Sequence, residues 1–153
     1  MNRNYENVLK QVKGVLEGET DLTANLANVA AILKTLPRYF WVGFYMVKND
    51  MLVLGPFQGP VACTRIAFGK GVCGTAWKEK KSILVPDVNV YPGHIACNAI
   101  SQSELVVPIF DADGTVIIIL DADSDSLDAF NENDRKALEE IASFISDSIK
   151  IAV

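Results

Sequence analysis

Apolar residues recur at helical spacing in the first quarter of the chain, and they predict two amphipathic helices. The first stripe consists of Val8, Val12, Val15 and Leu16. After a polar break at residues 18–21, the second stripe consists of Leu22, Leu26, Val29, Leu33 and Leu36. Pro37 ends the second helix, because proline has no backbone N–H to continue the hydrogen-bond ladder.

The pattern then changes to segments rich in aromatic and β-branched residues, which predict two hairpins. Residues 39–48 and 51–57 flank Asn49-Asp50, a pair typical of a tight turn. Farther along, residues 104–110 and 115–123 flank residues 111–114, Asp-Ala-Asp-Gly, which is a strong hairpin signal.

Between the predicted hairpins lies a region dense in glycine and proline. It predicts a short strand at residues 63–68, a short helix at residues 74–78 and another strand at residues 82–85. Residues 86–103 form a long connection, and loops of that length usually carry function or are disordered.

A final helix is predicted after Asn131, which can cap its first turn. Its apolar stripe consists of Leu138, Ile141, Ile145 and Ile149. The whole order predicts a single α+β domain over residues 1–153. We expect a PAS/GAF-like central antiparallel sheet of about six strands, with the N- and C-terminal helices packed together on one face.

Composition and charge narrow the function classes. The net charge of -5 argues against binding to nucleic acid or to an anionic membrane, because no basic stripe is present to displace counterions. No apolar segment approaches the ~20 residues that span a bilayer, so we expect a cytoplasmic protein. Three cysteines in a reducing compartment are not expected to form a structural disulfide framework.

The cysteines Cys63, Cys73 and Cys97 lie in or beside the glycine- and proline-rich connections. They could be small buried hydrophobes, zinc ligands together with His94, or reactive thiols. A reactive thiol needs a helix N-terminus or a cation beside it. Cys73 precedes the predicted short helix, and Cys97 follows His94 by three residues. We favour reactive thiols and expect no bound metal, because no Cys-x-x-Cys pair is present.

Asp121 and Asp123 share one face of a predicted strand, and the preceding hairpin strand begins at Glu104. Carboxyl groups crowded into one pocket raise one another's pKa, which would make one of them a general acid. The alternative is a solvated strand end. Trp41 and Tyr45 likewise share a strand face, either as core residues or as an aromatic wall for a methyl or thioether group.

Several segments together resemble the GAF-domain free methionine-(R)-sulfoxide reductases, in order and without large gaps over about residues 40 to 125. They are WVGFY at 41–45, LGPFQG at 54–59, CTRI at 63–66, GVCGTA at 71–76, VPDV at 85–88, PGHIAC at 92–97 and SELVVP at 103–108. The cysteines with their flanking residues in register make the resemblance specific.

The resemblance implies reduction of free methionine-(R)-sulfoxide to methionine without a cofactor, with thioredoxin restoring the enzyme. It implies that Cys97 attacks the sulfoxide and that Cys63 and Cys73 are resolving partners. It also implies that Trp41 faces the substrate methyl group, and that three acids line the pocket. These acids are Glu104, Asp121 and Asp123.

The helix argument would make Cys73, rather than Cys97, the most acidic thiol. A non-catalytic GAF domain that senses a small ligand is the alternative function, although the absence of an output domain favours an enzyme. The amphipathic end helices also suggest a homodimer.

Overall fold

Six antiparallel strands form the central sheet of the computed structural model, which describes residues 3–95 and 99–152. They are β1 (Trp41–Lys48), β2 (Met51–Gln58), β3 (Arg65–Ala67), β4 (Ile83–Val85), β5 (Ser103–Phe110) and β6 (Val116–Ser124). Their order across the sheet is β3-β2-β1-β6-β5-β4, so the two predicted hairpins lie side by side. Cys97 lies outside the described residues.

Four α-helices cover the sheet. They are α1 (Glu6–Leu16), α2 (Leu22–Lys34), α3 (Gly71–Glu79) and α4 (Glu132–Ala152). Helix α1 contacts both α2 and α4, whereas α3 contacts β3, β5 and β6. The predicted GAF-like arrangement, with the terminal helices together on one face, is therefore confirmed. None of the helices in the described part of the chain combines the length and the apolar character that crossing a bilayer requires.

The helix ends show which sequence signals were reliable. Asn131 caps α4 as predicted, because its side-chain oxygen accepts hydrogen bonds from the backbone N–H groups of Asn133 and Asp134. Helix α3 instead begins earlier than predicted, at Gly71, and the preceding Lys70 makes no side-chain capping bond. Without a capping residue the sequence carried no start signal there, and Cys73 lies inside the first turn rather than before the helix.

The strands divide the interior into two layers, because successive side chains point to opposite faces of the sheet. Val42, Phe44 and Leu120 belong to the larger apolar core under α1, α2 and α4. Trp41 and Tyr45 belong to a second cluster on the other face, which also includes Cys73 of α3. The polar residues of the candidate site project into this second layer.

The long connection between β4 and β5 contains a 3₁₀ helix at Val88–Val90. Asp87 starts it by accepting a hydrogen bond from the backbone N–H of Asn89. The connection rejoins the sheet at Gln102, whose backbone N–H donates to the carbonyl of Ser124. The carbonyl of Gln102 accepts from the backbone N–H of Val88. Gln102 therefore anchors the connection at the end of the sheet at which the acidic residues lie.

Candidate active site

The sheet register brings the acidic residues together. Asp123 of β6 pairs with Glu104 of β5 on one side and with Trp41 of β1 on the other. Asp121, two residues earlier on the same strand face, pairs with Gly43 of β1. Directly paired residues project their side chains from the same face of a sheet. Two carboxyl groups and an indole therefore stand in one row, with a third carboxyl group beside them.

A cavity opens over this row of side chains. It is lined by the predicted site residues Trp41, Tyr45, Cys73, Glu104, Asp121 and Asp123. Ala62, which precedes Cys63 in the chain, also lines it, as does Ile95, the last described residue before Cys97. The structure thus gathers six of the eight predicted residues around one space and places Cys63 next to it.

The acids in this cavity are held away from water. Glu104 and Asp121 are 5% and 6% exposed, whereas Asp123 is half-buried. Burial, and then the charges of neighbouring carboxylates, raises the pKa of all three side chains well above the ordinary carboxyl range. Among the described residues, no lysine or arginine forms a salt bridge with them. The alternative of a solvated strand end is wrong.

His94 approaches the cluster from the long connection, with its Nε2 atom 3.8 Å from Oε1 of Glu104. Burial lowers the pKa of His94, while it raises the pKa of Glu104. Both shifts favour the neutral forms near pH 7, so this contact is not a strong ion pair.

Cys73 lies at the base of the cavity, 4% exposed, with its Sγ atom 3.9 Å from Oε2 of Glu104. Burial raises the pKa of the Cys73 thiol well above its usual value, and the charges of Asp121 and Glu104 raise it further. This environment opposes the acidity that the start of α3 was expected to give Cys73. A helix dipole is worth roughly 0.3–1 kcal/mol, which does not offset burial beside carboxylates.

An aromatic wall forms one side of the cavity. The Trp41 ring stacks on Phe57, with a centroid separation of 5.3 Å, and its Nε1 donates a hydrogen bond to the carbonyl of Pro60. Gly43 allows this arrangement, because a Cβ atom there would lie 2.3 Å from Cβ of Phe57 and 2.8 Å from the Trp41 ring. The sequence placed Trp41 and Tyr45 on one face, and the structure confirms that placement.

Tyr45 lines the cavity, and its hydroxyl forms a hydrogen bond within the protein. It donates a hydrogen bond of 2.8 Å to the backbone carbonyl of Cys63. Burial, followed by the negative charges of the acidic cluster, raises the pKa of Tyr45. Trp41 and Tyr45 therefore both bind the backbone of the segment that carries Cys63, a connection that residue spacing could not show.

Part of the cavity lining has no signal in the sequence. Ser101, Lys70 and Val72 also face the cavity. Ser101 follows a stretch without periodicity, and Lys70 lies in a glycine-rich turn, so neither carries a local signal. Val72 looks like an ordinary apolar residue of a short helix.

Known proteins with similar sequences indicate the family of this chain. The model of the GAF domain family matches residues 19–150. "GAF domain-containing protein A" of Dictyostelium discoideum is 53% identical over 144 residues, covering 94% of this chain and 90% of its own length. The "Free methionine-R-sulfoxide reductase" of Saccharomyces cerevisiae is 42% identical over 159 residues, covering 96% and 88%.

Solved structures show the same similarity. The free methionine-R-sulfoxide reductase from Neisseria meningitidis, determined in complex with its substrate, superposes with a TM-score of 0.93 at 51% identity. The match covers 97% of this chain and 89% of that one. This chain belongs to the GAF-domain free methionine-(R)-sulfoxide reductase family.

Several of the family segments recognised in the sequence line the cavity of this GAF domain. Residues 41–45 lie in β1, residues 71–76 begin α3 and residues 103–108 lie in β5. They are distant along the chain but meet on one face of the sheet. Their resemblance to the family therefore describes one three-dimensional site rather than scattered similarities.

Proposed function

We propose that the protein reduces free methionine-(R)-sulfoxide to methionine in the cavity described above. The observation that carries this proposal is the meeting of a thiol, three carboxyl groups and an indole in one space. Relatives named for this activity, matched over most of their length, support it.

The acidic cluster supplies a binding site for the substrate ammonium group. Asp121 and Asp123 are near one another on β6 and have no lysine or arginine partner among the described residues. A cation entering this space supplies the countercharge that the protein does not, and buried charges are stable only when paired. The indole of Trp41 then provides an apolar surface for the methyl group on sulfur.

The reaction needs a nucleophilic thiolate and a proton donor. In our proposal the Cys97 thiolate attacks the sulfoxide sulfur, and Glu104, whose pKa is raised by burial and by the charge of Asp123, protonates the oxygen. Methionine leaves as Cys97 becomes a sulfenic acid. A second thiol attacks that sulfenic acid, which releases water and forms a disulfide. A dithiol such as thioredoxin then reduces the disulfide by exchange.

The described neighbours of Cys97 support this role. Ile95, before it, and Ser101, after it, both line the cavity. Described residues on both sides of the proposed nucleophile therefore belong to the cavity wall.

Cys63 is the better candidate for the resolving thiol. It lies in a half-buried segment beside Ala62 of the cavity wall, whereas Cys73 is enclosed by carboxylates that oppose thiolate formation. A resolving thiol must reach the sulfenic acid as a thiolate, so the environment of Cys73 slows this step.

The test is to incubate the fully reduced protein with free L-methionine-(R)-sulfoxide and to measure thiols and methionine together. We expect two thiols to be lost for each methionine formed, and Cys97→Ser to abolish both changes. The S epimer is the matched control, because it carries the same charges but presents the oxygen on the other side of sulfur. Saturable binding with unchanged thiols would instead indicate the ligand-sensing alternative. Homodimer formation stays a prediction, for which light scattering at micromolar concentration is the measurement.

A further inference from the structure

The cavity contains three potential metal ligands that the reaction does not use together as a set. One ligand atom from each of Cys73, Glu104 and Asp121 lies within 4.8 Å of the other two. This set differs from the cysteine and histidine set considered from the sequence, because it joins one thiol to two carboxyl groups on neighbouring strands. We infer that Cys73, Glu104 and Asp121 bind a divalent transition-metal ion such as Zn²⁺, and that this ion inhibits the protein by occupying the ammonium site.

The separation between the sulfur ligand and one carboxyl oxygen is close to that of zinc coordination. With Zn–S of ~2.3 Å and Zn–O of ~2.1 Å at a tetrahedral angle, a sulfur and an oxygen ligand lie about 3.6 Å apart. Sγ of Cys73 and Oε2 of Glu104 are 3.9 Å apart, so side-chain shifts of a few tenths of an ångström bring them into place. The cavity above the set leaves room for a further ligand, such as water.

A second observation points independently to a missing ligand. Within the described residues, Oδ1 of Asp121 is buried and has no hydrogen-bond partner. Asp121 itself is 6% exposed and lines the cavity. A buried oxygen without a partner destabilises the folded state, and a bound cation removes this penalty.

The backbone holds the three ligands in a fixed arrangement. Glu104 and Asp121 project from the adjacent strands β5 and β6, and Cys73 projects from the first turn of α3. Ligands carried on packed elements need little reorganisation to bind. A thiolate among oxygen ligands favours Zn²⁺ or Co²⁺ over Mg²⁺ or Ca²⁺, which prefer oxygen alone.

The ion and the proposed substrate both require Asp121, so their binding is mutually exclusive. The metal is therefore an inhibitor of the proposed reaction rather than a cofactor. Only this competition rests on the proposed function, because the binding itself follows from the ligand set.

The direct test is titration of the reduced protein with Co²⁺, whose bond to a thiolate gives a charge-transfer absorption in the near ultraviolet. We expect Cys73→Ser to lose this absorption and Cys63→Ser to keep it. The absorption persisting in Cys73→Ser, or no Co²⁺ binding to the unmodified protein at millimolar metal, would overturn the inference.

Two aspartates on one strand provide a matched pair of variants. Asp121→Asn is expected to weaken Co²⁺ binding by about 10-fold or more, and Asp123→Asn by less, since Asp123 is outside the ligand set. An equal loss in both variants would mean attraction by general negative charge and would contradict the assigned ligands. Thermal unfolding without metal verifies that each variant is folded.

Competition is measured last, with methionine-(R)-sulfoxide added to the Co²⁺-loaded protein. Displacement of the metal by substrate supports the shared site. If Co²⁺ binds through Cys73 and Asp121 but substrate neither displaces it nor is reduced, the proposed function fails while the metal site stands. If the substrate is reduced but does not displace the ion, the inhibitory role is wrong.

Discussion

Buried carboxyl groups occur on both faces of the sheet, but they have opposite surroundings. On the helix-covered face, Asp134 is fully buried and accepts hydrogen bonds from Arg3, Tyr5 and the backbone N–H of Asn131. On the cavity face, the described part of the chain offers Glu104, Asp121 and Asp123 no lysine or arginine partner. On the helix-covered face the protein itself supplies the positive charge that pairs with the carboxylate. On the cavity face, we infer that a ligand supplies it.

The two groups of buried carboxyl side chains also connect different parts of the chain. Arg3 lies over the rings of Tyr39 and Phe130, at 5.4 and 5.5 Å, and also donates to the carbonyl of Pro37. Asp134 therefore links the N-terminal segment to the start of α4 and to the residues before β1. The acidic cluster of the cavity lies on β5 and β6, and it contacts Cys73 of α3 and His94 of the long connection. We infer that the first group stabilises the fold and that the second lowers stability in exchange for binding.

The largest expected effect is on the cavity face. Glu104→Gln keeps the size of the side chain but removes its acidic proton, so we expect reductase turnover to fall by about 10²- to 10⁴-fold. The measurement is methionine formation, with Glu79→Gln at an exposed position on α3 as the control. Turnover equal to that of the control would exclude Glu104 as the proton donor.

On the other face, the expected effect is on stability. Asp134→Ala leaves Arg3 buried without its carboxylate, which should lower the free energy of unfolding by about 3 kcal/mol. Urea denaturation measures this change. Asp147→Ala, at an exposed position of the same helix, should change stability little. Similar values for the two variants would remove the contrast between the faces.

Removing a carboxyl group from the cavity should raise the free energy of unfolding rather than lower it. The folded pKa of Asp121 is raised above its unfolded value, so the folded state holds more protons and stability falls as pH rises above about 4. Asp121→Asn removes this loss, and we expect about 1–2 kcal/mol of added stability near pH 7. The advantage should shrink toward pH 4. Denaturation of both proteins at several pH values measures it, and destabilisation by Asp121→Asn near pH 7 would contradict the argument.

The smallest effect concerns the segment that carries Cys63. Tyr45→Phe removes the hydrogen bond to the Cys63 carbonyl and should lower stability of the reduced protein by about 1 kcal/mol. Tyr91→Phe is the control, because the Tyr91 hydroxyl has no hydrogen-bond partner among the residues with described positions. Equal unfolding midpoints for both variants would show that this bond does not hold the segment.

Much of the fold could be predicted from local patterns. The apolar stripes of α1, α2 and α4 lie where the sequence places them, except that α2 ends at Lys34, before Leu36. The two turns, at Asn49-Asp50 and residues 111–114, also lie where they were predicted. These elements have strong periodicity or a specific turn residue, and such signals need only neighbours along the chain. The start of α3 was missed because its first residues follow a lysine without a capping bond.

Part of the candidate site could be predicted from the sequence. Asp121 and Asp123 follow from the alternation of a strand, and Trp41 and Tyr45 do as well. The predicted hairpin brought Glu104 near the two aspartates, whereas its place in the substrate pocket came from the resemblance. The hydrogen bond from Tyr45 to Cys63 was outside the reach of any local pattern.

By itself, then, the sequence determined the elements, the faces that they bury and the kinds of side chain available for chemistry. The tertiary structure decided which of those side chains meet, how deeply they are buried and hence which way their pKa values move. Cys73 shows the physical reason. Its place at a helix start predicts an acidic thiol, but its pKa depends on water exclusion and on carboxylates that lie 31 and 48 residues away in the chain, and these reverse the prediction.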